Sequence, residues 1–283
     1  MLDLLKRLND ASCSHEERAR IGDQLAAMGD PRPGVGLRAD GIPDIAWCAV
    51  DIPPEQRGTS RPFFNERGEQ YGEFALEPFQ IARYPITFAQ FEAFLLAEDG
   101  IGEARWWEGL PERWQGQAHY LLPGRVPAGS QPRDTVSWVQ AVAFTRWLSA
   151  RLQGENTIVR LPLEWEWQYA AEGQERRRYP FGAWDERFAN TRSARLGRTT
   201  AVGMYPQAVS WCGAHDMSGG VWEWCLNEYK SPKNTRLDGE AARILRGGSF
   251  VDVPEYAVCG SRFNDLPNRR LDYYGFRVVC ARL

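Results

Sequence analysis

The sequence predicts an α+β fold with a single core, few short strands, two main helices and a high share of loop. Three observations carry that expectation. The two strongest helical stripes are Phe88, Phe91, Phe94 and Leu95, then Val139, Ala143, Phe144, Trp147 and Leu148. Strand-like runs are short, and clusters of Gly and Pro separate them. The chain carries 12 Trp in 283 residues, which suits a core filled by large flat side chains with a polar edge.

Composition sets the outer limits. With 43% apolar and 25% charged residues the chain reads as an ordinary globular protein. A formal net charge of −3 argues against nucleic acid as a partner, because phosphate binding needs a basic surplus. No apolar run follows a basic start and no span is long enough for a bilayer, so neither a signal peptide nor a membrane partner is expected. Cys13, Cys48, Cys212, Cys225, Cys259 and Cys280 form no CxxC pair and read as reduced thiols of a cytoplasmic protein. A Cys225–Cys280 or Cys259–Cys280 bridge stays open.

Residues 1–44 read as a helical arm and linker. Leu2, Leu4, Leu5 and Leu8 make an apolar stripe, Ser14 with Glu17 makes a capping box, and the Gly and Pro cluster at 29–36 stops the helix. The arm is a candidate joint to a partner domain or protein. From residue 45 the texture changes. Strands are expected at 45–50 and 77–84, followed by a helix capped by Thr87. Residues 100–133 read as irregular, with Trp106, Trp107 and Trp114. Ser137 caps the second main helix, a short strand follows Gly154 at 157–162, and residues 164–171 form a third helix. Glu164 and Glu166 flank Trp165 on different faces and read as charges favourable to that helix's N-terminal turn. No phosphate-cradling Gly-Lys-Ser loop, nucleophile elbow or HExxH occurs.

A series of motifs occurs in order: Ile81-Ala82-Arg83-Tyr84-Pro85, Arg160-Leu161-Pro162-Leu163-Glu164-Trp165-Glu166-Trp167, Tyr179-Pro180-Phe181-Gly182, Asp216-Met217-Ser218-Gly219-Gly220-Val221-Trp222-Glu223-Trp224, Arg246-Gly247-Gly248-Ser249-Phe250 and Gly275-Phe276-Arg277. That series resembles the formylglycine-generating-enzyme (sulfatase-modifying factor) domain, a large variant of the C-type lectin fold, over residues 45–283. The family's oxidase uses a pair of copper-binding cysteines just after Gly-Gly-Ser. Here Asp252 stands near the first position and residues 253–257 hold no cysteine, leaving Cys259 alone. The related sulfoxide synthases rely on a histidine triad, whereas His15, His119 and His215 lie far apart and read as ordinary histidines. The expectation is therefore a non-enzymatic protein without a cofactor, apart from calcium near Asn190, which some relatives carry. The alternatives are a metal-dependent oxidase with Cys259 as a residual ligand, or a catalytically inert scaffold or sensor module.

The closing stretch from Arg243 to Arg282 organises the chain. Its ends are strand-like, and between them apolar, acidic and aromatic residues follow no period, which marks a loop system on a rigid scaffold. It resembles the variable proteins of diversity-generating retroelements, whose segment from Gly-Gly-Ser to Gly-Phe-Arg carries scattered variable positions on an invariant frame. The resemblance implies a variable segment at 250–274 with ligand contacts at Val251, Asp252, Val253, Tyr256, Phe263, Asn264, Asp265, Leu266, Asn268, Leu271, Asp272, Tyr273 and Tyr274. Randomised asparagine codons cannot yield Trp, Met, Gln, Glu or Lys, and none of these occupies those positions. Aromatic anchors with acidic neighbours, their charge moderated by Arg269 and Arg270, fit a protein or other macromolecular ligand of basic or hydrogen-bond-donating character. Arg246, Gly247, Gly248, Ser249, Pro254, Arg262, Gly275 and Phe276 would be the fixed frame.

Overall fold

The structure, a computed structural model, describes residues 1–10, 12–115, 129–152 and 156–282. His119 and Gly154 lie outside them. Strand β1 (Trp47–Val50) pairs with β4 (Phe79–Ala82), β4 with β10 (Val279–Arg282), and β10 with β5 (Thr157–Arg160), all antiparallel. The C-terminal strand thus lies between two strands from far upstream. Phe79 and Ile81 are buried while Gln80 is exposed, the period of two that a half-buried strand requires.

Helix α3 (Phe88–Leu96) starts at a capping box in which Thr87 N–H donates to Gln90 Oε1 at 3.0 Å and Gln90 N–H to Thr87 Oγ1 at 3.3 Å. After the short helix α4 (Glu112–Gln115), Ser137 and Gln140 repeat that device at α5 (Trp138–Arg151). The helices meet through Phe91 and Phe144, stacked at 5.3 Å, and Phe276 sets its edge on both rings. Helix α6 (Glu164–Glu172) serves a second cluster, where Trp165 stacks on Phe74 at 4.1 Å.

Two features go beyond the sequence reading. Strands β2 (Arg61–Phe64) and β3 (Gln70–Phe74) form a hairpin whose turn is held by Asn65 Oδ1, the acceptor of the Arg67 and Glu69 N–H groups. Strand β6 (Trp222–Glu228) is the centre of a third sheet. It pairs antiparallel with β7 (Arg243–Arg246) and parallel with β9 (Tyr274–Gly275), and β8 (Phe263–Asp265) pairs with β7. The segment at 250–274, expected to be loop, therefore contains strand β8 in its middle and runs into β9 at its end.

The N-terminal residues are docked, not loose. Helices α1 (Leu2–Leu8) and α2 (His15–Ala27) pack Leu8, Ile21 and Leu25 against Met204 and Tyr205. Buried Arg18 donates to the carbonyls of Leu8 (2.9 Å) and Met204 (2.8 Å). Further on, Gln90 Nε2 holds the carbonyls of Gly34 and Asp44. All six cysteines are free. No helix among the described residues is long and apolar enough to cross a membrane.

Candidate functional site

The C-terminal loops are clamped at both ends by arginines with no solvent exposure. Arg277 forks onto Glu223, Nε to Oε2 at 2.6 Å and Nη2 to Oε1 at 2.7 Å, and also donates to the His215 carbonyl at 2.8 Å. Trp167 Nε1 donates to the same carboxylate at 2.8 Å. Arg246 donates to the Ser261 carbonyl at 2.7 Å and to Gln168 Oε1. A buried pair this fully bonded fixes geometry whatever its net contribution to stability. Between the clamps, Gly248 has φ +71, and a Cβ there would sit 2.8 Å from the Tyr256 carbonyl oxygen, so the turn requires glycine.

On that frame a mixed aromatic and acidic face is built. Phe263 is 42% exposed, with its ring 5.3 Å from that of Trp222. Tyr273 is half-buried and meets Tyr274 edge-on at 5.1 Å. Burial first, then the charges of Asp252, Asp272 and Asp265, push the Tyr273 hydroxyl's pKa up. Asp252 Oδ2 accepts from Trp222 Nε1 at 2.8 Å and from the Ser249 hydroxyl. Asp265 accepts from the Tyr274 hydroxyl at 3.1 Å and the Leu266 N–H at 2.8 Å, while exposed Arg269 stays 3.7 Å away. Asp252 and Asp265 are thus held mainly by neutral donors, which orient a charge without cancelling it.

The remaining expected contacts divide. Leu266 is 49% exposed, Asn264 pairs with Ile244 across β7 and β8, and half-buried Asn268 keeps a buried Oδ1 with no partner among the described residues. Val251 and Val253 are half-buried in a turn that Arg192 braces through the Val251 and Asp252 carbonyls. Leu271 packs partly on the main core, and half-buried Asp272 lines a small cavity with Phe250. Tyr256 is 54% exposed but makes no ring contact with the cluster. Tyr274 must be corrected: at 1% exposure it lies in the core against Trp224, because its strand pairing with Trp222 turns the ring inward. Trp222, itself only 3% exposed, backs that face: Phe263 lies against its ring and Asp252 accepts its N–H.

Other expectations resolve as structure. Glu164 and Glu166 do lie in the first turn of α6, and they are also buried ion-pair partners of Arg262 and Arg160. His15 bonds the Tyr205 hydroxyl through Nδ1 at 2.9 Å. His215 lies under Tyr84, and burial with Arg83, Arg277 and Arg32 pushes it down to about 4. Cys259 is fully buried, and burial then Glu172 push its thiol well up, away from the thiolate a soft metal needs. With Asp252 and buried Ala257 nearby, the two-thiolate set of the copper oxidases does not fit this chain. At Asn190, Nδ2 donates to the Arg198 carbonyl and Oδ1 is a buried orphan among the described residues. Calcium takes roughly six to eight oxygens, carboxylates among them. No group of three or more His, Cys, Asp or Glu side chains that could hold a metal converges among the described residues.

Comparison with known proteins follows the geometry. A family model described as the sulfatase-modifying factor enzyme 1-like domain matches residues 55–282. A hercynine oxygenase of Mycobacterium tuberculosis is 31% identical over 238 residues, 71% of this chain and 52% of that protein. A formylglycine-generating enzyme of Thermomonospora curvata is 26% identical, over 85% of this chain and 95% of that protein. The chain spans about half the length of the first two hercynine oxygenases it matches. In fold it is similar to Treponema denticola variable protein 1, with a TM-score of 0.60 at 20% identity, covering 84% of this chain and 95% of that one. The expectation of a non-enzymatic protein is overturned by these relatives, which are named as enzymes.

Proposed function

We propose that this chain, which belongs to the sulfatase-modifying factor enzyme 1-like domain family, uses the face from Val251 to Tyr273 to bind a basic protein or peptide ligand. One observation carries the reading: Asp252, bonded to the Trp222 indole on which Phe263 lies, and Asp265, bonded to the Tyr274 hydroxyl, set oriented carboxylates beside the exposed ring of Phe263. A cation seated against such rings gains attraction from the π-faces and from the carboxylates of Asp252 and Asp265, the latter with exposed Arg269 3.7 Å away. Absence of Trp, Met, Gln, Glu and Lys from the expected contact positions supports a variable surface on a constant scaffold. The check on variability is the neighbouring DNA, where a reverse transcriptase and a near-copy of the last coding segment differing at adenines are expected. A cytoplasmic setting belongs to the same reading, supported by six free cysteines.

Titration with an oligo-arginine peptide and an oligo-glutamate control tests the binding. The basic peptide alone should bind, more weakly as salt rises. Tyr273→Ala or Asp252→Asn should weaken it about tenfold or more, as loss of an interface anchor does. Equal affinity in the variants would refute the assignment.

A second reading rests on the hercynine oxygenase and formylglycine-generating enzyme relatives. It makes the same face the substrate-binding wall of a reaction centre. No step is assigned to a metal, since no group of three or more His, Cys, Asp or Glu side chains converges among the described residues. Metal analysis with oxygen-consumption assays on cysteine-containing peptides separates the two readings. Stoichiometric metal with turnover selects the second.

A further inference from the structure

A cavity of about 410 Å³ opens between the connection from β1 to β2, the first residue of β2, and the turn after α6. That size lies inside the roughly 300–1,000 Å³ range of small-molecule sites. Its polar lining is Gln56, Thr59, Ser60, Arg61, Gln174 and Arg176, with no carboxylate among the lining residues. Arg61 lies over the rings of Tyr169 (4.9 Å) and Phe63 (5.5 Å), and Arg176 over Phe64 (5.0 Å). Stacking holds a guanidinium by its flat face and leaves the N–H edge free. Neither guanidinium has a hydrogen-bond or ion-pair partner among the described residues. By contrast Arg160, Arg262 and Arg277 each pair with a carboxylate. Arg176 also holds φ +53, a left-handed conformation that a non-glycine residue keeps at a cost. The acid that feels both arginines is Glu172, which is buried and takes its hydrogen bond from Gln168 Nε2 at 2.9 Å.

We propose that this cavity binds a phosphate-bearing small molecule, with Arg61 and Arg176 as the anion clasp. A carboxylate is satisfied by one fork, whereas two forks with two hydroxyls match the three terminal oxygens of a phosphate monoester. Ile52 and Leu76 complete the wall and give the rest of the ligand an apolar surface. This site shares no residue with the C-terminal face and stands or falls apart from it.

The test titrates the full chain at low salt with phenyl phosphate, inorganic phosphate and benzoate. Phenyl phosphate should saturate one site and bind more tightly than either of the others. Arg176→Gln and Arg61→Gln should each weaken it about tenfold or more, the worth of a charged hydrogen bond. Arg61→Lys should weaken it too, because a point charge replaces the fork, and Arg236→Gln should not. Melting temperatures are recorded because Arg61 covers Tyr169; exposed Arg176 supplies the variant free of that concern. No saturable binding, equal binding of benzoate, or binding indifferent to Arg176→Gln overturns the proposal.

Discussion

The clamps at Arg246 and Arg277 and the face between them use the same kinds of side chain in opposite ways. In the clamps, charges are fully buried and met by opposite charge or by carbonyls, as Arg277 is by Glu223 and Arg246 by the Ser261 carbonyl. On the face, Asp252 and Asp265 are met by an indole N–H, hydroxyls and an amide. A charge cancelled inside the protein holds position, whereas one merely oriented by neutral dipoles still acts on what approaches. The aromatics divide in the same way, with Tyr274 in the core and Phe263 in water.

The largest test of that contrast is Glu223→Ala. It leaves Arg277 buried without its counter-charge and should cost about 3–5 kcal/mol in urea denaturation. A loss below about 1 kcal/mol would mean that the clamp is not the anchor described. Tyr274→Ala should cost about 3–5 kcal/mol, in the manner of buried aromatic truncations. Its chain neighbour Tyr273→Ala should cost about 1 kcal/mol, and equal costs would dissolve the distinction between core and face. Tyr274→Phe sharpens it further: only the hydrogen bond to Asp265 is lost, worth about 0.5–1.5 kcal/mol.

The smallest effect concerns pH. Burial pushes Asp216 up to about 6 from 3.8, so the folded chain holds that proton more tightly than the unfolded chain. The stability it contributes is complete below the unfolded value and is lost as pH rises through about 6. Asp216→Asn should flatten that part of the stability profile. Asparagine tolerates the left-handed φ of +57 and keeps an acceptor for the Gly203 N–H.

What the sequence disclosed follows from how local each signal is. Thr87 and Ser137 announce their helices because a capping box is complete within four residues. The frame was legible because Arg246-Gly247-Gly248-Ser249 and Gly275-Phe276-Arg277 are contiguous motifs. Strand β6 was hidden because Glu223 and Asn227 are buried along with its apolar residues, which erases the alternation. The ion pair of Glu164 was hidden because its partner, Arg262, lies 98 residues away. Tyr273 and Tyr274 could not be told apart, since pairing with Trp222, set by the fold, decides which ring turns inward.

Amide hydrogen exchange with and without saturating oligo-arginine peptide tests the central claim most directly. Slowed exchange should be confined to residues 251–253 and 263–273, with the clamps at 243–247 and 275–279 already slow in both states. Slowing elsewhere, with the 263–273 amides unchanged, would contradict the assignment of that face as the binding surface.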